Sequence, residues 1–447
     1  MGIFDALTTA VSGLQAQSFA LQNISGNIAN SQTVGYKETD TQFQDLVDNA
    51  ALNQETAGGV FASSSSSNTV QGTLTAASSP TDMAVDGDGY FVVTQADNAS
   101  GAATTFTGVQ DYTRRGDFTL NSNGYLVNGA GYYLMGTPLN PATGAATTST
   151  PTVLQFNSDF LPAQATTSIN YQANLPSSPS SGTLDPTDYT GSDPATTGTV
   201  SAEDETTFTS QSLDGGSVTA YDSEGNAVNV QFRWAQTATS PSTYDLFYQT
   251  DSSATGATAE WQSVGTPFVF NSSGALTSPS TTSITVPNLT VNGSNLGNVT
   301  LNYGPSSGTS GLTQYANSSG DAQVTGISQN GFAAGQLESL SVDTQGQIEG
   351  SFSNGQTVAL ADVTLATFNG EDSLQPLDGE AFAATPESGS PLYSATGKVV
   401  GSELESSNVD IATQFSQLIV AQQAYSANAK VMTTADQMIQ SLLTVIQ

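Results

Sequence analysis

Apolar residues recur every seven positions at both ends of the chain. Near the start, Leu7, Leu14, Leu21 and Ile28 form one row, with Phe4 and Val11 on its flank. Near the finish, Leu418, Tyr425, Met432, Ile439 and Ile446 form another, beside Phe415, Ala429 and Leu443. Seven residues are two helical turns, so each row predicts a rod with one apolar seam. Ser18, Gln422 and Asp436 interrupt the seams, which argues against a simple zipper and for helices among several neighbours. The two helices can pack on each other as a hairpin. The sharper expectation is that they meet the ends of other copies, so that the chain is a unit of a polymer. Gly13 and Gly26 lie inside the first helix, and each costs about 1 kcal/mol relative to Ala. Both ends are therefore expected to be poorly ordered alone and helical on assembly.

Between the helices the pattern is that of β structure. Residues 38–70 are polar, with five serines at Ser63–Ser67, and read as an extended linker over 30–70. From 71 onward, short alternating runs are separated by turns. Four of these share one form: Asn121–Gly124, Asp222–Gly225, Asn271–Gly274 and Asp343–Gly346. In each, the opening side chain can bond the backbone two residues on, and Gly supplies the positive φ. They predict β-hairpins. Strands are expected at Ser217–Tyr221, Val228–Trp234, Tyr244–Gln249, Pro267–Asn271, Ser283–Val286 and Val299–Tyr303. That spacing suggests a β-sandwich or barrel.

Charge narrows the function. The chain of 447 residues has 39 acidic and 6 basic side chains, a net charge of −33. Such a surface repels nucleic acid and anionic lipid. An apolar fraction of 37% is enough for packed β cores. Cys and His are both absent, which removes disulfides, thiol nucleophiles and the commonest general base and metal ligand. No run approaches the ~18 apolar residues of a membrane span, and no signal-peptide pattern opens the chain. Export, if it occurs, is expected to proceed without a cleavable signal. The Asp86-Gly87-Asp88-Gly89 turn invites a calcium reading, but the later ligands of an EF-type loop are missing and Asp-Gly is a hairpin turn by itself. No phosphate-binding loop or metal-spaced cluster stands out. Catalysis is not expected, and neither is a cofactor.

Several stretches carry a specific resemblance. The first helix runs into Ala29-Asn30-Ser31-Gln32-Thr33-Val34-Gly35-Tyr36-Lys37, then come Thr113-Arg114-Arg115-Gly116-Asp117-Phe118 and Gly124-Tyr125-Leu126-Val127. Further on stand Asn330-Gly331-Phe332, Phe352-Ser353-Asn354-Gly355-Gln356, Ser407-Asn408-Val409-Asp410 and Ala421-Gln422-Gln423-Ala424-Tyr425 through Asn428-Ala429-Lys430. Together these resemble the axial proteins of the bacterial flagellum, and among them the hook family. Phe stands at two positions, Phe332 and Phe352, where that family's pattern has Tyr.

The resemblance implies a mainly β fold with terminal α-helices. Nested β domains, sandwich- or barrel-like, would sit on a coiled-coil-like helical inner domain. The implied division is 1–29 with 408–447 as the channel-lining helical domain, and 30–70 as linker. An inner β domain would comprise 71–145 with 326–403, and an inserted outer β domain 146–325. The implied function is a self-assembling subunit of the hook, a flexible tube that passes motor torque to the filament. Its implied partners are other copies, the distal rod protein, the hook cap, the hook–filament junction proteins and the flagellar type III export apparatus. Asn30, Gly35 and Tyr36 would form the turn after the first helix. Arg114 and Arg115 are candidates for ion pairs between subunits, although a solvated pair is the plainer reading. The alternatives are a distal rod protein or, outside this class, an extracellular adhesin or glycan-binding β protein.

Overall fold

The computed structural model describes residues 3–45, 59–97, 104–141, 143–156, 160–190, 193–305, 311–393 and 397–446, with side chains of 3–5 and 442–446 excepted. The chain is mainly β between two helices, Ile3–Ala29 and Ile411–Ile446, and it divides into two compact units.

The first unit comprises Met1–Asp159, Glu338–Ser351 and Thr357–Gln447. Its strands come from both sides of the insertion and pair with one another. Val85 lies opposite Val399, Phe91 opposite Leu365, Tyr112 opposite Phe382 and Thr75 opposite Leu404. Tyr90, Val92, Tyr112, Phe368 and Phe382 form a buried cluster, with the Tyr112 and Phe368 rings edge-to-face at 4.7 Å. Apolar burial at these positions closes the unit although its segments are far apart in sequence.

Both helices belong to this unit, and they are formed and packed on each other in the single chain. They run antiparallel, since Gly13 abuts Asn428 and Asn27 bonds Gln414. Where the ends were expected to be unformed in the free chain, the structure has both helical and packed on each other. Small residues explain it: Ala10, Gly13, Ala16 and Ala20 are buried on one helix, and Ala421 and Ala435 on the other. They let the backbones approach closely. A Cβ at Gly13 would lie 2.8 Å from the Asn428 amide nitrogen. Asp410 caps the second helix, its Oδ1 accepting from Thr413 N at 2.9 Å, and that bond holds its carboxyl below the usual range.

Residues 30–70, expected as linker, carry a hairpin instead. Thr39–Asp45 pairs with Val60–Ser66, and four of the five serines lie in its second strand. Side-chain hydrogen bonds hold the hairpin on the first helix: Asn23 Nδ2 donates to Thr41 Oγ1 at 2.9 Å and to Ser64 Oγ at 3.3 Å.

The second unit comprises Phe160–Leu337 with Phe352–Gln356. Two sheets enclose one core. In the first, Ser168–Leu175 runs between Ser294–Asn302 and Leu312–Gln314 on one side and Gln323–Gln329 on the other. Residues 326–337 were expected with the inner β domain, but Gln323–Gln329 pairs within this unit. In the second sheet the order is Thr199–Ser201, Ala259–Ser263, Ser242–Gln249, Ala227–Thr239, Leu213–Tyr221. Tyr171, Phe232, Trp234, Phe268 and Leu301 fill the space between. Two buried polar tips are matched in this core: Trp234 Nε1 donates to Tyr171 Oη at 2.9 Å, and Tyr171 Oη to Gly215 O at 2.6 Å.

The four predicted turns form as expected. Oδ1 of Asn121, Asp222, Asn271 and Asp343 each accepts from backbone N–H groups two and four residues on. The closing glycines take φ of 80°, 86°, 80° and 82°.

One carboxylate works against the second unit. Asp245 lies opposite Ala235, a member of a small buried cluster with Phe208, Phe247 and Trp261. Burial pushes its carboxyl up to about 6 from 3.8. The folded chain thus holds this proton more tightly than the unfolded chain does, and stability falls as pH rises from 3.8 to about 6. Asp245→Asn is expected to stabilise this unit by about 1–2 kcal/mol at pH 7 and by nothing near pH 3. Urea melts at the two pH values check this. A loss at pH 7 would mean that the carboxylate is favourably held.

Candidate assembly surface

The helix pair has an inward seam of small residues and an outward surface of large apolar ones. Gln414, Ala421 and Ala435 are buried, and with Asn428 they recur every seven residues towards the first helix. Leu418, Ala429 and Ile439 of the expected C-terminal row are half-buried. Phe415 is 51% exposed, Tyr425 42% and Met432 40%, and Ile419, Val420, Val431 and Met438 are exposed as well. On the first helix, Leu7, Val11, Leu14, Leu21 and Ile28 are half-buried, flanking the Ala10–Gly13–Ala20–Ile24 seam. Phe4, Leu443 and Ile446 lie in helical backbone, and their side chains fall outside the described residues.

At 3.6 residues per turn, measured from the nearest seam residues, Phe415 projects roughly 110° to one side of the buried seam and Val420 roughly 110° to the other; Ile419 lies nearly opposite the seam, and Val431 and Met438 roughly 50–60° from it on the side of Val420. A helix apolar on several faces is one that is covered on several faces. Among the described residues no helix is long and apolar enough to cross a membrane.

The root of the pair is fixed by a polar network. Asn27 is 1% exposed; its Nδ2 donates to Thr39 O at 3.0 Å and Gln414 Oε1 at 3.2 Å, and its Oδ1 accepts from Tyr36 Oη at 3.1 Å. Gln414 Nε2 in turn donates to Glu38 Oε1. Burial pushes the Glu38 carboxyl up, and Asp40 adds to this. A buried network in which each group is satisfied favours one register over its neighbours.

The motif turn sits directly above. Asn30 Nδ2 donates to Gly26 O at 3.0 Å, closing the first helix. Gly35 takes φ +72°, and its N–H donates to Glu405 O at 2.8 Å. A Cβ there would lie 2.7 Å from the Arg115 backbone nitrogen. Gly35→Ala is therefore expected to cost about 1–3 kcal/mol, read as a lower melting point of the first unit. An unchanged melting point would mean that the turn relaxes freely.

Next to this turn a buried carboxylate serves two cations. Lys37 Nζ lies 2.7 Å from Glu405 Oε1, with side chains 2% and 1% exposed. Arg114 Nη1 lies 3.4 Å from Glu405 Oε2, and its guanidinium sits 5.0 Å above the Tyr90 ring. Lys37 also donates to Val70 O at 2.7 Å, and Gly72 N to Glu405 Oε1 at 2.8 Å. Burial pushes the Lys37 ammonium below the usual lysine range, and Glu405 pulls it back. The cluster ties the exit of the first helix to the strand that leads into the second.

Arg114 and Arg115, read as candidates for pairing between subunits, are both engaged within the chain. Arg114 is buried on Glu405. Arg115 grips Asp117 with Nε and Nη2, both at 2.9 Å, and reaches Glu380 at 3.1 Å. Lys37, Glu405, Asn27 and Gln414 escaped the sequence reading. The only signal for Lys37 was its place at the end of the turn motif in a chain with six basic residues.

Comparison with known proteins defines the class first. Residues 7–37 match the family "Flagella basal body rod protein", and 84–171 the "Flagellar hook protein FlgE/F/G D1 domain". Residues 183–332 match the "Flagellar basal body protein FlaE D2 domain", and 401–445 the "Flagellar basal body rod FlgEFG protein C-terminal" family. Lys37 and Glu405 fall within the two outermost matches. Flagellar hook protein FlgE of Brucella abortus is 30% identical over 451 residues, covering 99% of each chain. That of Salmonella typhimurium is 29% identical over 448 residues, 98% of this chain and 99% of its own. A crystal structure of Helicobacter pylori flagellar hook protein FlgE2 covers 74% of this chain and 100% of its own at TM-score 0.48 and 15% identity, too distant to bear on the fold. The chain belongs to the flagellar hook protein FlgE family.

Proposed function

We propose that the chain is a structural subunit of the bacterial flagellar hook, attached to the basal body, that works by assembling with copies of itself. It is not an enzyme; its family is structural. The observation that carries the assembly mechanism is the exposed apolar surface of the helix Ile411–Ile446, from Phe415 to Met438. Large apolar side chains on two flanks of a helix whose third side is taken by its own partner call for neighbours on both flanks. A repeating head-to-tail contact of that kind builds a helical polymer. The outer faces of the Leu7/Leu14/Leu21/Ile28 row would be sheltered in the same contacts.

The finer reading is a bending tube that passes torque from motor to filament. Its contacts would lie with the distal rod protein below, the hook cap during growth and the junction proteins above, with subunits delivered by the type III export apparatus. Charge supports weak, re-formable contacts between copies, because a net charge of −33 per chain sets the copies as a whole in mild repulsion. The test is truncation of residues 1–30 and 410–447. The full chain, concentrated in high salt, should form tubes in electron micrographs, and the truncated chain should stay a folded β monomer. Tubes from the truncated chain would contradict the reading.

A further inference from the structure

Of the six basic residues, four are held inside their own unit. Lys37 and Arg114 are on Glu405, Arg115 is on Asp117 and Glu380, and Arg233 is on Ser212 and the Thr209 carbonyl. Lys398 and Lys430 remain exposed. Lys398 lines a cleft of about 660 Å³ in the first unit, together with Thr137, Ser149, Thr344, Gln345 and Tyr393. No described residue of that lining is a carboxylate, in a chain with 39 acidic residues. Asp86 lies opposite Lys398 in the strand ladder, but no ion pair within 4.0 Å joins them among the described residues. The cleft therefore offers an ammonium, several hydroxyls and an amide, while the nearest carboxylates, Asp86, Asp343 and Asp362, adjoin its walls without belonging to its described lining.

We propose that the Lys398 cleft is a docking site for a carboxylate-bearing segment of a second copy of this chain. The inference rests on the assembly reading above and adds a polar contact to the apolar helix contacts. Charge complementarity selects the occupant. Like surfaces repel at −33 per subunit, and a concavity that holds an unpaired ammonium and no carboxylate among its described lining residues is where an acidic neighbour meets attraction instead. Hydroxyl and amide groups around the ammonium can take up the second carboxylate oxygen and the adjoining backbone.

Amine acetylation followed by mass spectrometry, on the full chain as monomer and as tubes, tests this. Lys398 should be modified readily in the monomer and be protected at least about fivefold in the tubes. A carbodiimide should then join Lys398 to an Asp or Glu of another copy, found in tubes and not in monomer. Lys398→Gln should raise the critical concentration for assembly about fivefold by removing the attraction, with the monomer melting point unchanged, since it sets no like charge opposite Asp86. Lys398 equally reactive in tubes and monomer overturns the docking site and leaves the assembly reading standing. Protection already in the monomer assigns Lys398 to its own Asp86 and overturns it as well. If the wild-type chain forms no tubes at all, both fall.

Discussion

Glu405→Ala is expected to cost the first unit about 3–5 kcal/mol, because it leaves Lys37 and Arg114 buried without a counter-charge. The side chains concerned are 2%, 3% and 1% exposed for Lys37, Arg114 and Glu405, so water cannot replace what is lost. The Gly72 N–H loses its acceptor too. Against a typical total of about 5–15 kcal/mol, this is a large fraction, and it should lower the melting point of the first unit by roughly 6–20 °C. The second unit has its own core, and its transition should not move. Salt should change the effect little, since buried charges are poorly screened. The triple variant Lys37→Met, Arg114→Leu, Glu405→Leu should recover most of the loss, because an apolar trio needs no counter-charge. A loss below about 1 kcal/mol in Glu405→Ala would place the cluster in the weak class of surface pairs.

Phe415→Asp should abolish assembly and leave the monomer intact. Phe415 is 51% exposed in the single chain, so its replacement should change monomer stability by less than about 0.5 kcal/mol. Burying it in a contact between copies is expected to contribute about 1.5–3 kcal/mol per contact, and a carboxylate in its place adds a desolvation cost. Repeated at every step of a polymer, that penalty should raise the critical concentration a hundredfold or more, by about 1.4 kcal/mol per factor of ten. Ala421→Asp is the informative contrast. Ala421 is 5% exposed, on the face towards the first helix, and its replacement should damage the monomer by forcing the two helices apart. Equal tube formation by Phe415→Asp and wild type would take this surface out of the interface.

Local features were legible in the sequence. The Asn121, Asp222, Asn271 and Asp343 turns depend only on residues within four positions, and each appears with the bonds expected of it. The helices were legible because their apolar period persists over many turns. Their inward face was not, because the eye follows leucines while close approach is set by Ala10, Gly13, Ala421 and Ala435, which carry little hydrophobic signal. The hairpin at 39–66 was hidden for a related reason. Its serines give no alternation, and it is held on the helix by hydrogen bonds from Asn23 rather than by an apolar face. The charge cluster joins Arg114 to a partner 291 positions away, and no local pattern announces such a pair. It makes Arg114 an anchor within one chain, where the sequence offered a solvated pair or, less plainly, a contact between subunits.

Hydroxyl-radical footprinting of the wild-type chain, as monomer and as tubes, tests the central claim most directly. Phe415, Tyr425, Met432 and Met438 are exposed in the single chain and should be oxidised readily in the monomer. In tubes they should be strongly protected, while exposed side chains of the second unit such as Phe160 keep at least part of their reactivity. Equal oxidation of the four helix residues in tubes and monomer would show that the apolar flanks of this helix do not hold the copies together.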